Sequence, residues 1–258
     1  MIDFVRQCGY LTLRGLRRLW RQPWYVALTL VQPVIWLLIF GQLFKRVVEI
    51  PGFNAGSYID FLAPGIVIMS ALFSSGWSGM GMIEAIERGV MDRFLVSPVR
   101  RAALIVGPLS QTVISIVVQS AIILALSFAL GAHLAGGIAG AIVLVLCAAL
   151  LGTTFGAISN GFALLARREE TVIAAVNFIA LPASFLSPIL MQRDLVPGWI
   201  QSIIRFNPVA WAVDAGREAL SATADWRMVL LRIALLLAVA VLGVAFATRT
   251  VRVYQRSL

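Results

Sequence analysis

The stretch Ile83–Arg101, IEAIERGVMDRFLVSPVRR, carries Glu84, Glu87, Arg88, Asp92, Arg93, Arg100 and Arg101. Apolar runs long enough to cross a bilayer stand on both sides of it. A charged, helix-forming segment between two such runs cannot face lipid, because ionised groups there are expensive. It lies in water or against another protein. Glu84–Arg88 and Arg88–Asp92 are i,i+4 pairs that support a helix. Gly89 interrupts that helix or admits another backbone. Ser97-Pro98 reads as an N-cap followed by proline at the first helical position. On the residues alone, a docking element and a solvated loop with internal ion pairs are equal readings.

Composition fixes the class. Of 258 residues 60% are hydrophobic and only 13% charged, with mean hydropathy +0.92. A soluble domain is about half apolar and a quarter charged. The chain is an all-α polytopic membrane protein, one domain over residues 1–258. Its net charge of +9 would suggest nucleic acid in a soluble protein. Here the basic residues sit at the ends of apolar runs, where they set topology, and no nucleic-acid partner is expected.

Six spans are expected at Trp24–Phe44, Ile59–Met82, Ala102–Leu130, Ile138–Leu165, Thr171–Met191 and Met228–Ala247. Residues 1–23 precede them. Arg14, Arg17, Arg18 and Arg21 share one helical face there, with Leu13, Leu16 and Trp20 on another. That is the pattern of an amphipathic helix lying among lipid headgroups, and also of a basic flank that sets orientation. The ends grouped with Ile83–Arg101 hold fourteen Lys and Arg against six on the other side. Both termini and Ile83–Arg101 are therefore expected in the cytoplasm.

Residues 192–227 are too apolar for a plain loop. Pro182 and Pro188 are expected to break the fifth span, since proline removes a helical hydrogen bond. Asn207-Pro208 then opens a second helical stretch, Val209–Leu220. A partly re-entrant, extracellular hairpin between spans five and six follows, enclosed by protein or water.

Several chemistries are excluded. A phosphate-binding loop needs a Gly-Lys pair, and the one lysine, Lys45, follows Phe44. The chain has no ATPase site of its own. Metal centres are not expected: His133 is the only histidine, and Cys8 and Cys147 stand alone. The acidic residues lie outside or at the ends of the apolar runs, which weakens proton-coupled transport. The polar groups inside the runs are neutral: Gln32, Gln111, Gln119, Thr153, Thr154, Asn160 and Asn177. Ser75, Gly76 and Gly79 make a small-residue face suited to close helix packing.

Three motifs then resemble one family. Glu84-Ala85-Ile86-Glu87-Arg88-Gly89, with Arg93 and Ser97-Pro98 after it, is similar to the cytoplasmic segment of type-2 ABC exporter permeases. Tyr58-Ile59-Asp60-Phe61-Leu62-Ala63-Pro64-Gly65 resembles the same family, especially its daunorubicin-resistance-like branch. So does Phe206-Asn207-Pro208 with Arg217 downstream. Phe185-Leu186-Ser187-Pro188 departs from relatives that carry glycine after the serine.

The resemblance implies a permease without enzymatic activity or bound cofactor, in a bacterial cytoplasmic membrane. It would work with separate ABC ATPase subunits that use ATP and Mg, and with a second permease copy or close paralogue. Glu84, Glu87, Arg88, Gly89, Arg93, Ser97 and Pro98 would then form the coupling helix. The path would lie between two copies, along Gln32, Trp36, Phe40, Asn177 and Phe185. The cargo implied is an amphipathic drug, antibiotic or lipid. Polysaccharide or glycolipid export by the same machinery, and ion-coupled transport, are the alternatives.

Overall fold

The computed structural model describes residues 2–21, 23–46, 57–91, 101–133, 135–190 and 192–256. They form an all-helical chain with no strand among the described residues. In order the helices are α1 (Ile2–Arg21), α2 (Pro23–Leu43), α3 (Tyr58–Gly76), α4 (Ser78–Glu87) and α5 (Arg101–Ala129). They continue with α6 (Gly137–Ala166), α7 (Glu169–Phe185), α8 (Gly198–Ile204), α9 (Pro208–Leu220) and α10 (Trp226–Arg256).

Among the described residues four stretches are long and apolar enough to cross a membrane: Tyr58–Glu87, Ala102–Ala129, Gly137–Ala166 and Trp226–Arg256. The first of the six expected spans appears as the shorter apolar helix Thr29–Leu43. The fifth appears as α7, which has 17 residues.

Three boundaries differ from those expected. The second span is not one rod. It breaks at Gly76–Ser78, where Trp77 takes φ −76° and ψ −5° and begins a new helix. The fifth helix passes through Pro182 and stops at Phe185, so Pro188 lies beyond its end. Pro182 offers no N–H to the Phe178 carbonyl, and the helix ends within a turn of it. The last helix runs past Ala247 to Arg256, because Val251 and Tyr254 on its final turns are buried against the bundle.

Helix α6 is the central post; it packs on α3, α4, α5, α9 and α10. Lipid tails are as apolar as leucine, so helices in a bilayer associate through close packing and polar contacts. The small residues of α6 allow that approach. Gly140 faces the backbone of Ala219, Gly156 lies against Leu109, and Gly161 meets the ring of Phe246. A Cβ on Gly79 would come within 2.6 Å of the Ser159 carbonyl oxygen, as the small-residue face of the second span leads one to expect. Helices α6 and α7 join through Arg167, whose left-handed φ of 54° ends α6. Glu169 and Glu170 then sit in the first turn of α7, where the helix dipole favours negative charge.

Helix α1 docks along α5. The Thr12 hydroxyl donates to the Gly107 carbonyl at 3.3 Å, and Gly107 lies under Leu11. Arg14 and Arg17 are exposed, as a headgroup-facing stripe requires. The side chains of Arg18 and Arg21 lie outside the description.

Candidate functional site

Two helices and the turn after one of them enclose a groove against α3. Gln32 and Trp36 come from α2; Met69, Phe73 and Trp77 from α3; Asn177, Leu181, Ser184 and Phe185 from α7; Ile189 and Leu190 from the turn that follows. Its volume is about 280 Å³. Gln32, Trp36, Asn177 and Phe185 are four of the five path residues expected from the resemblance, and they share this one groove. The fifth, Phe40, stacks on Trp36 at 4.5 Å without lining it. A smaller cavity of about 80 Å³ continues from Gln32 and Trp36 toward Thr29, Ser70 and Ser74. Gln119 donates to the Thr29 hydroxyl at 3.2 Å behind it.

From Trp36 a file of rings runs through Phe40, Phe44, Tyr58 and Phe61, with successive centroids 4.5, 5.4, 5.6 and 6.1 Å apart. It ends under Arg217, whose guanidinium carbon lies 3.5 Å from the Phe61 ring centre. The same guanidinium donates to the Phe61 carbonyl at 3.1 and 3.0 Å, to Ile189 O at 2.9 Å, and to Pro188 O. Arg217 thus ties the first turn of α3 to the turn after α7. Burial pulls its pKa down to about 9, while Asp214 and Tyr58 oppose the shift. It is a cation at neutral pH, held by carbonyl oxygens and a ring face.

The expected hairpin motif builds the rest of this clasp. Asn207 caps α9 by accepting from Val209 N–H at 2.9 Å, and Pro208 takes the position whose missing N–H costs nothing. The other end of the Asn207 amide donates to Ala183 O and Leu186 O, both at 2.7 Å, closing the last turn of α7. The Tyr58 hydroxyl donates to Leu190 O at 3.2 Å. Gly65 is required here: a Cβ would stand 2.8 Å from Ile189 O. The two motifs that carried the family resemblance on this side therefore meet at one place.

Sequence reasoning missed two further ties. Asp60 accepts from the His133 N–H at 2.7 Å, pinning the α5–α6 turn to α3. Asp214 pairs with Arg232 at 2.6 Å, joining α9 to α10. Arg232 was the available signal, since an ionised residue inside an apolar run needs a partner.

The break in the second span is held by hydroxyls. Ser159 on α6 accepts from Gly79 N–H at 3.1 Å and donates to the Gly76 carbonyl. Ser78 takes hydrogen bonds from Thr112 at 3.2 Å and from the Asn160 amide at 3.3 Å. Backbone groups freed inside a membrane need such partners.

Below the break, α4 carries the start of the charged stretch. Arg88 pairs with Glu84 at 2.7 Å, with Arg88 mostly in the open, and Glu87 is exposed. The helix stops because Gly89 turns left-handed at φ +63°. Arg93, Ser97 and Pro98 lie outside the described residues.

These features define a multi-pass helical membrane protein with a lateral groove, a clasped end and a charged intervening segment. Residues 6–221 match the ABC-2 type transporter family, and the chain belongs to it. It is similar to the daunorubicin resistance ABC transporter permease protein DrrB1 of Streptomyces coeruleorubidus, at 29% identity over 87% of this chain and 77% of that one. It is similar also to the putative transport permease ycf38 of Porphyra purpurea, at 26% over 87% and 77%. A third relative is the probable doxorubicin resistance ABC transporter permease protein DrrC of Mycobacterium tuberculosis, at 24% over 83% and 76%. Members of this family work with ABC ATPase subunits. The relatives with resistance functions in their names are permease proteins of ABC transporters.

Proposed function

We propose that this chain is the membrane subunit of a bacterial exporter for an amphipathic drug, antibiotic or lipid-like molecule. In this reading it crosses the cytoplasmic membrane six times, with Thr29–Leu43 and α7 as the two short spans. Both termini and the Glu84 segment face the cytoplasm, and the Arg217 clasp lies outside. Helix α1 rests among lipid headgroups. A separate ATPase subunit consumes ATP with Mg²⁺ and moves Glu84–Ser97, while a second permease copy or close paralogue completes the path.

One observation carries the reading: Gln32 and Trp36 of α2 and Asn177 and Phe185 of α7 line a single groove against α3. Among the described residues the groove lining has no ionisable side chain, which counts against an ion-coupled carrier. Its supply of aromatic surface beside neutral amides suits an amphipathic cargo.

The coupling role is tested by the double variant Glu87→Lys with Arg88→Glu. It should insert normally, lose the ATPase subunit on affinity capture, and lose ATP-driven export. Wild-type export by that variant sinks the coupling role. Transport by the purified chain alone, without ATP, sinks the exporter reading itself.

A further inference from the structure

Two amides line this groove without a hydrogen-bond partner; the Gln111 amide, the Gln119 oxygen and the Ser120 hydroxyl also lack one among the described residues, but they lie outside the groove. Asn160 donates to Ser78 and Gln119 donates to Thr29. Ser70, Thr153 and Thr154 bond carbonyls of their own helices. Gln32 and Asn177 make no hydrogen bond to any described residue, although both line the groove. They come from different helices, α2 and α7. Each carries two donors and one acceptor oxygen. An amide left without partners in an apolar setting is costly, so this arrangement calls for something that supplies donors and acceptors.

The rest of the lining says what lies between the amides. Trp36, Phe73, Trp77 and Phe185 offer ring faces and edges, and Met69 offers a polarizable thioether that adapts to them. One face of Trp36 is already covered by Phe40 at 4.5 Å, interplanar angle 18°. Among the described residues the lining contains no Asp, Glu, Lys, Arg or His. A charged ligand there would surrender its hydration without an opposite charge to meet.

We infer that the groove selects an uncharged aromatic molecule with hydrogen-bonding groups at two opposite edges, one for Gln32 and one for Asn177. This deepens the exporter reading and rests on it. The aromatic body supplies most of the contact, and the two amides supply selectivity. A site built to bond polar groups rejects an analogue that lacks them, because its own amides are then left unpaired.

The test uses the full chain in lipid nanodiscs, with empty discs subtracted for partition into lipid. Three probes share one body: 2,6-dihydroxynaphthalene, 2,6-dimethylnaphthalene and a naphthalene bearing a trimethylammonium group. The dihydroxy probe should bind about tenfold more tightly than the dimethyl probe, net of empty discs. Gln32→Leu and Asn177→Leu should each weaken the dihydroxy probe about fivefold and leave the dimethyl probe unchanged. A merely structural role for either amide would weaken both. The ammonium probe should bind at least about tenfold less tightly than the dihydroxy probe, and Gln32→Glu should recover it.

Equal binding of all three probes overturns the selectivity and leaves the groove as a cargo site. Equal or tighter binding of the ammonium probe overturns the uncharged class. No binding above empty discs, with Gln32→Cys and Asn177→Cys cross-linking between two copies, makes a second copy the occupant. That outcome overturns this inference and the groove's place in the exporter reading together.

Discussion

The two ends of the bundle are held by different means. At the Arg217 end, side chains reach across helices to backbone carbonyls. Arg217 binds Phe61, Pro188 and Ile189, Asn207 binds Ala183 and Leu186, and Asp214 holds Arg232. At the Glu84 end, Arg88 pairs with Glu84 one turn back on the same helix and is itself largely exposed. Apolar packing there comes from Ile83, Met91, Ile105, Leu164 and Val251. Directional bonds to main-chain atoms fix an orientation that apolar contact alone leaves free to slide. The first end is thus a clasp, and the second carries the exposed side chains of Glu87 and Arg88 on a short helix. The hydroxyl-bridged break at Gly76–Ser78 lies between them.

Arg217 offers the largest test of that contrast. Arg217→Met removes the guanidinium donors of the clasp and leaves the Phe61, Pro188 and Ile189 carbonyls without this partner. We expect a loss of about 4 kcal/mol, seen as a collapse of the monodisperse, folded fraction in detergent. Arg217→Lys should not rescue it, because three donors on a point charge cannot reproduce a planar fork. A stable Arg217→Met chain would mean that packing alone sets this end. Asp214→Leu comes next. It strands Arg232 in the last span, at a cost of about 3 kcal/mol. The combined Asp214→Leu, Arg232→Leu chain should regain most of that loss in thermal unfolding. If the double variant is no better than the single one, the pair is not the tie.

How far these features were legible in the sequence follows the range of the forces behind them. Local signals held well. Asn207-Pro208 capped α9 where the motif placed it, and Gly89 ended α4 through its own backbone preference. The groove was legible only through the family resemblance, which named Gln32, Trp36, Asn177 and Phe185 together. Nothing in their spacing says that α2 and α7 converge on α3. The clasp was half legible: Arg217 was singled out, but its carbonyl partners are 28, 29 and 156 residues away in the chain. The break at Trp77 was marked by Ser74-Ser75-Gly76-Trp77-Ser78-Gly79, a run of small and polar residues that was read only as a close-packing face. What opens it is Ser159, 83 residues from the Gly76 carbonyl it binds.

Ser159 therefore tests whether the break transmits movement between the two ends. Ser159→Ala removes the acceptor of Gly79 N–H and the donor to Gly76 O, at a cost of about 2 kcal/mol. Apolar packing around Gly79 is retained. Because the break stands between groove and charged segment, cargo should still bind while its stimulation of ATP hydrolysis by the complex falls. Binding and stimulation lost in parallel would make Ser159 a packing residue only.

The smallest structural effect belongs to the Glu84 end. Glu84→Gln removes an ion pair whose arginine is mostly in solvent, and such i,i+4 pairs contribute about 0.3–0.5 kcal/mol. Thermal unfolding of the isolated chain should scarcely move, less still in high salt, where exposed charges are screened. The ATPase complex is where this substitution should register, as weaker capture of the partner subunit at unchanged chain stability. If Glu84→Gln instead unfolds the chain as severely as Arg217→Met does, the two ends are built alike. The segment would then be part of the scaffold rather than a surface left free for a partner.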